Sequence, residues 1–126
     1  MAITGKFKID VYQCHVYIKV CKSVKSSVNY YLAKNNFKLH DCEPAGMFCN
    51  PLSDERIGSY YIFLNQEDGL NVEVVNHEKS HLVEQILLDR GIKPIDEVRS
   101  YLDGYVSQMI DLFFKKRKIK LKNKRL

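Results

Sequence analysis

From about Asn71 to at least Phe114 the sequence carries two long helices in succession, and that pair limits what the rest of the chain can be. Val72, Val75, Leu82, Val83, Ile86 and Leu87 recur at helical spacing as one apolar wall. Gly91 stands where a helix C-cap belongs, and Pro94 precedes a second helix from about Ile95. Upstream the period is two. Phe7, Ile9 and Val11 share one parity and Cys14, Val16, Ile18 and Val20 the other, so a bent strand, or two strands joined by a bulge, is expected there. Ser23 reads as the N-cap of a short helix carrying Val24, Val28, Tyr31 and Leu32. The stretch from Phe37 to Arg56 has no period and reads as loop, with a short strand near Met47-Phe48. Ser59 to Leu64 is the clearest strand, ended by Asn65 and the Asp68-Gly69 turn. Strands early and two long helices late predict an α+β domain, a small antiparallel sheet with three helices.

With 126 residues, 45% hydrophobic and 28% charged, the chain suits one soluble domain with its own core. No segment has the roughly 18 unbroken apolar residues of a membrane span, and the N-terminus lacks a secretory layout, so an intracellular protein is expected. Cys14, Cys21, Cys42 and Cys49 form no C-x-x-C pair and read as reduced thiols; a site drawing on His40, Cys42 and Cys49 lacks the spacing of a zinc ribbon. The net charge of +5 hides an asymmetry. Residues 115–126, KKRKIKLKNKRL, hold eight of the 20 basic residues and no acidic one, which leaves residues 1–114 with twelve basic against fifteen acidic. The domain is therefore expected over 1–114, followed by a basic tail.

On the first long helix lies V75-N-H-E-K-S-H-L82. At about 100° per residue, His77 and His81 sit about 40° apart and one turn along the axis, so both imidazoles can reach one zinc ion. Glu78, about 100° round from His77, is placed as a general base beside a Lewis acid rather than as a ligand. The wheel has the histidines toward packed protein and Glu78, with Asn71, Gln85 and Asp89, on a narrow polar side. A third ligand has to come from elsewhere. Glu97 is a candidate, with Tyr101, Gly104 and Gln108 on its face, Asp96 as N-cap, and Gly104 letting the helices approach closely. In a straight antiparallel hairpin, however, His81 would lie level with Tyr101 or Tyr105. Glu84, one turn beyond His81, is the alternative ligand or supporting group. His15 and His40 read as ordinary surface or loop residues.

The run YYIFLNQ, then HEKSH, LLDRGI and DEVRSYLDGY, resembles the small zincin-like proteins encoded by tailed bacteriophages, over roughly Tyr60 to Met109. The resemblance implies a minimal zincin-like domain, with His77, His81 and Glu97 as zinc ligands, Glu78 as the catalytic carboxylate and Tyr101 supporting the site by packing or through its hydroxyl. It also implies a place in the host bacterial cytoplasm or the virion. The interval between His81 and Glu97 is shorter than in that family.

The expected chemistry is hydrolysis of a peptide or related amide, with the strand Tyr60 to Leu64 as the rim of the cleft and Tyr101 or Tyr105 at the oxyanion. A rival reading is a non-catalytic virion or host-factor-binding protein on the same fold. In the tail, Lys115, Lys116, Arg117, Lys118, Lys120 and Lys122 could neutralise the phosphates of a nucleic acid, or simply solvate a helix end. The alternation of Ile119 and Leu121 between lysines would let the tail lie on a partner or another subunit.

Overall fold

A computed structural model of the protein describes residues 3–33, 43–49 and 58–122. The elements are β1 (Ile3–Ile9), β2 (Cys14–Cys21), α1 (Val24–Ala33), β3 (Gly46–Cys49), β4 (Ser59–Asn65), α2 (Val72–Asp89) and α3 (Asp96–Lys116). The strands form one sheet in the order β1-β2-β4-β3. The α+β class with three helices is as expected, but the sheet is mixed. β1–β2 and β3–β4 are antiparallel, whereas the central β2 and β4 run parallel, with His15 opposite Ser59 and Cys21 opposite Asn65. A parallel pair needs a crossover, and here α1 and β3 lie between the two strands in sequence.

The parity switch near Gln13 is a hairpin. A single 3-10 turn, Asp10–Tyr12, reverses the chain, and Gln13 takes the left-handed conformation with φ of 52°. Its backbone N–H and its side-chain amide both donate to the Asp10 carbonyl, at 3.1 and 2.8 Å. Phe7 thereby lies opposite Val16 and Ile9 opposite Cys14, so two parities share one buried face. Arg90 braces this turn from α2, donating from Nε and Nη2 to the Tyr12 carbonyl at 2.9 and 2.7 Å.

That face of the sheet packs on α2 and α3 through Val75, Leu82 and Ile86 of the first and Leu102, Val106 and Ile110 of the second. Each such aliphatic side chain, fully removed from water, contributes about 1.5–3 kcal/mol. On the opposite face α1 buries a smaller cluster, Val24 and Val28 against Cys21, Cys49 and Phe63. The Ser23 hydroxyl accepts the Ser26 N–H at 3.1 Å, as an N-cap should. Glu43 adds a second cap, accepting the Val24 N–H at 2.8 Å and the Ser23 hydroxyl at 2.8 Å. Cys14, Cys21 and Cys49 are buried free thiols. His40 and Cys42 lie outside the described residues.

α2 begins and ends where local chemistry says it should. The Asn71 side chain accepts the Val74 N–H at 2.9 Å. Gly91, at φ of 67°, follows the last turn, with Ile92 N–H bonded to the Leu87 carbonyl and Gly91 N–H to that of Leu88. α3 starts differently from expectation. Ile95 is the N-cap, without a side-chain bond, and Asp96 and Glu97 lie in the first turn, where their charge favours the helix dipole.

The same closing motif ends α3 without a glycine. Lys118 adopts φ of 55°, with Ile119 N–H on the Phe114 carbonyl and Lys118 N–H on that of Lys115. The chain then turns back along its own fold. Ile119 and Leu121 pack on the core, the Lys122 carbonyl accepts the Val72 N–H at 2.9 Å, and the Lys122 N–H reaches the Leu70 carbonyl at 2.9 Å. Their apolar alternation is thus satisfied within the chain. No helix among the described residues is long and apolar enough to cross a membrane.

Candidate metal centre

One turn of α2 separates His77 from His81, and their Nε2 atoms lie 3.2 Å apart with the rings at 79°. Two nitrogens bound tetrahedrally to one zinc at about 2.0–2.1 Å would lie about 3.3 Å from each other. Without an ion the same separation serves a hydrogen bond, one Nε2–H donating to the other ring. Glu78 joins them: one ligand atom from each of the three residues falls within 4.8 Å of the others, the one such His/Cys/Asp/Glu group among the described residues.

The exposures are the reverse of the sequence expectation. Both histidines are exposed, while Glu78 is buried at 7%. The cause is β3, the edge strand, which lies over the Glu78 side of α2. Gly46 permits this approach: a Cβ there would stand 2.7 Å from Val74 Cγ1 and 3.2 Å from Glu78 Cγ. Burial holds the Glu78 pKa above its ordinary value, and the neighbouring His77 and His81 and a hydrogen bond from the Phe48 backbone N–H offset this only in part. Beside this carboxylate a cleft of about 300 Å³ opens between Gly46, Met47 and Phe48 on one side and His77, Glu78 and His81 on the other. A second opening, lined by Ala45, Gly46, Glu73 and His77 among others, continues it toward the start of α2.

β4 is not the rim of this cleft. Tyr60 to Leu64 is hydrogen-bonded on both sides, to β2 and to β3, so no further strand can add to it. The strand at the rim is β3.

Glu97 is exposed in the first turn of α3 and is not brought to the histidines. α3 meets α2 through Lys79, whose Nζ lies 2.7 Å from Ser107 Oγ and 3.4 Å from Asp103, and through Ser80, bonded to Arg99 at 2.9 Å. His77 and His81 are each two residues from Lys79, hence about 160° round the helix from it. The α3 face toward α2 is set by the stripe Leu102, Val106 and Ile110; the face of Glu97, Tyr101, Gly104 and Gln108 lies off it. Gly104 accordingly has open space, with nothing within 4 Å of a Cβ position, and mediates no helix contact. Tyr101 is 75% exposed and lines a groove with Ile9 to Tyr12 and Tyr105 at the β1–β2 turn. Tyr105 donates its hydroxyl to the Lys8 carbonyl at 3.1 Å.

Glu84 is exposed one turn beyond His81. Glu73, one turn before His77, lines the same opening as His77 and Glu78 and went unnoticed in the sequence, although its spacing of four from His77 is the available signal. Gly46 and the Phe48 N–H carried no comparable signal, because their role depends on how β3 pairs.

In the basic segment Lys115, Lys116, Lys118, Lys120 and Lys122 are exposed. Arg117 is not: it donates to the Phe113 carbonyl at 3.2 Å and the Thr4 carbonyl at 3.1 Å, with its guanidinium 4.1 Å from the Phe113 ring centroid. No family model matches the sequence, and no curated protein or solved structure matches it either.

Proposed function

We propose that the protein is a metal-dependent hydrolase of peptide or related amide bonds, a minimal zincin-like domain with His77 and His81 holding zinc and Glu78 acting as general base. The observation that carries this reading is the 3.2 Å separation of the two imidazole nitrogens on one helical turn, with a buried carboxylate beside them. The donors suit the ion: neutral imidazoles are the commonest nitrogen ligands of zinc. Glu73 and Glu84 lie one helical turn to either side of the pair and are the carboxylates to test as a further ligand. Bound zinc supplies Lewis acidity, polarising a carbonyl and acidifying a water.

The chain's own residues would do the rest. Glu78, its carboxylate held by the Phe48 N–H, takes a proton from the attacking water and delivers it to the leaving nitrogen. β3 is the edge strand among the described residues, its Phe48 N–H already given to Glu78, so a substrate's scissile bond would lie along the cleft between β3 and α2. The likeness of the motifs to zincin-like phage proteins supports the same reading, and with it a role inside an infected bacterial cell.

A second reading has one observation in its favour. Glu97 and Tyr101, which that likeness implies at the site, face away from α2. A non-catalytic virion or host-factor-binding protein that keeps the fold would have no need of them.

The test is metal content per chain before and after chelation, with hydrolysis of an unstructured peptide mixture followed in parallel. Near-stoichiometric zinc with chelator-sensitive cleavage is expected. Protein purified without added chelator that neither contains nor takes up zinc would end the proposal; zinc without cleavage would favour the second reading.

A further inference from the structure

The sheet's second face is covered by α1 over β3 and β4. On its β1–β2 side the pleat presents a different surface. Period two places Thr4, Lys6 and Lys8 of β1 and His15, Tyr17 and Lys19 of β2 on this face, with Tyr61 of β4 beside them. The register aligns Lys6, Tyr17 and Tyr61 in one row across three strands. The two tyrosine rings stack, centroids 4.9 Å apart and planes within 14°. Lys6 Nζ lies 6.0 Å from the Tyr17 ring and Lys19 Nζ 5.9 Å from that of Tyr61. No acidic residue occupies these positions, although Asp10 of the adjoining turn pairs with Lys8 at 3.5 Å and residues 1–114 hold more acid than base.

Lysines on an edge strand commonly serve only to deter edge-to-edge pairing. That accounts for Lys6 and Lys8. It does not account for Lys19 on the interior strand β2, or for stacked tyrosines in the middle of a sheet face.

We propose that this face binds single-stranded polynucleotide, with Lys6, Lys8 and Lys19 on phosphates and a base stacked on the Tyr17 ring. Half-exposed aromatic rings interleaved with lysines on a sheet face meet both needs of a single strand: any base has a face to stack, and each nucleotide brings one negative charge. On its β1 side the Tyr17 ring has the Lys6 ammonium at 6.0 Å, beyond contact distance, on a flexible stem that can swing toward a phosphate and leave room for a base. A duplex hides its base faces and is a poorer match. Arg117, bonded to the Thr4 carbonyl, holds the end of α3, with its exposed Lys115 and Lys116, near the β1 edge. No residue of the candidate metal centre takes part, and the two proposals fail independently.

The test uses the full chain and labelled twelve-nucleotide probes, oligo-dT, oligo-rU and a DNA duplex, with polyglutamate as a plain polyanion competitor, all at two salt concentrations. One or both single strands should bind more tightly than the duplex, and their ratio tells whether the ligand is DNA or RNA. Tyr17→Leu should weaken binding roughly 5- to 150-fold, the effect of losing one stacked base, while Tyr17→Phe retains it. Lys6→Ala with Lys19→Ala should flatten the salt slope by roughly 1.4, about 0.7 for each lost phosphate contact. Equal binding of duplex, effective competition by polyglutamate, or unchanged affinity in a folded Tyr17→Leu protein would overturn the proposal. Should Tyr17→Leu fail to fold, Lys6→Glu with Lys8→Glu decides: these exposed reversals should abolish binding, and undiminished affinity refutes it.

Discussion

The carboxylate of Glu78 accepts the backbone N–H of Phe48, joining the middle of α2 to the outer edge of the sheet. A buried acid is costly unless something compensates it, and here an edge-strand amide and two imidazoles do so in part, leaving its pKa raised. Glu78→Gln keeps the shape and an acceptor for that amide but removes the proton-accepting charge. Hydrolysis should fall by at least about 100-fold while zinc affinity stays within a few-fold. Cleavage by the variant at the native rate would show that the proton goes elsewhere.

Metal affinity separates the carboxylates around the pair. His77→Ala or His81→Ala should lower zinc affinity by more than about 100-fold, since loss of a mere supporting group already costs 10–100-fold. Glu97→Ala should leave it unchanged, because α3 lies on the far flank of α2. Titration calorimetry on each variant, with Glu73→Ala and Glu84→Ala alongside, identifies the remaining donor.

Gly104 gives a test of helix packing. It stands mid-helix and exposed, with nothing within 4 Å of a Cβ position. Gly104→Ala should therefore stabilise the fold by about 0.5–1 kcal/mol, read as a higher urea midpoint. Were Gly104 wedged between helices, the methyl group would destabilise instead.

The acid limb of the stability profile should carry the mark of Glu43. Burial opposes its charged form, but hydrogen bonds from the Ser23 and Asn65 side chains and the Val24 and Lys25 amides outweigh that and hold its pKa below the ordinary 4.5. The native state thus binds its proton less readily than the unfolded chain, so this stabilisation is present above about pH 4.5 and is lost as the pH falls through the folded value. Glu43→Gln, which keeps an acceptor but not the charge, should lower stability near neutrality, and the gap to wild type should close on acidification. A gap that is constant with pH would place the effect outside that carboxyl.

Both ends of α2 were legible because each is written locally, the start by the apolar period that sets in after Asn71 and the finish by Gly91, the residue that tolerates a positive φ. The parallel pairing of β2 with β4 was not, since alternation is the same whichever way a neighbour runs. The helical wheel placed His77, Glu78 and His81 together, but which of them is buried depends on β3, about thirty residues upstream, which nothing in the sequence marks as a neighbour of α2. In α3 the apolar stripe Leu102, Val106 and Ile110, not Glu97 or Gly104, decides which face is buried. Lys118 could not be anticipated as a helix terminator, because the left-handed conformation is usually left to glycine or asparagine.

The pairing of Val72 with Lys122 also bears on when the protein can mature during synthesis. The first amide of the histidine-bearing helix finds its acceptor fifty residues downstream. A nascent chain therefore cannot complete this helix start until translation has passed position 122 and that stretch has cleared the ribosome. Until then the Val72 amide has only water to bond, as the first amides of a helix commonly do.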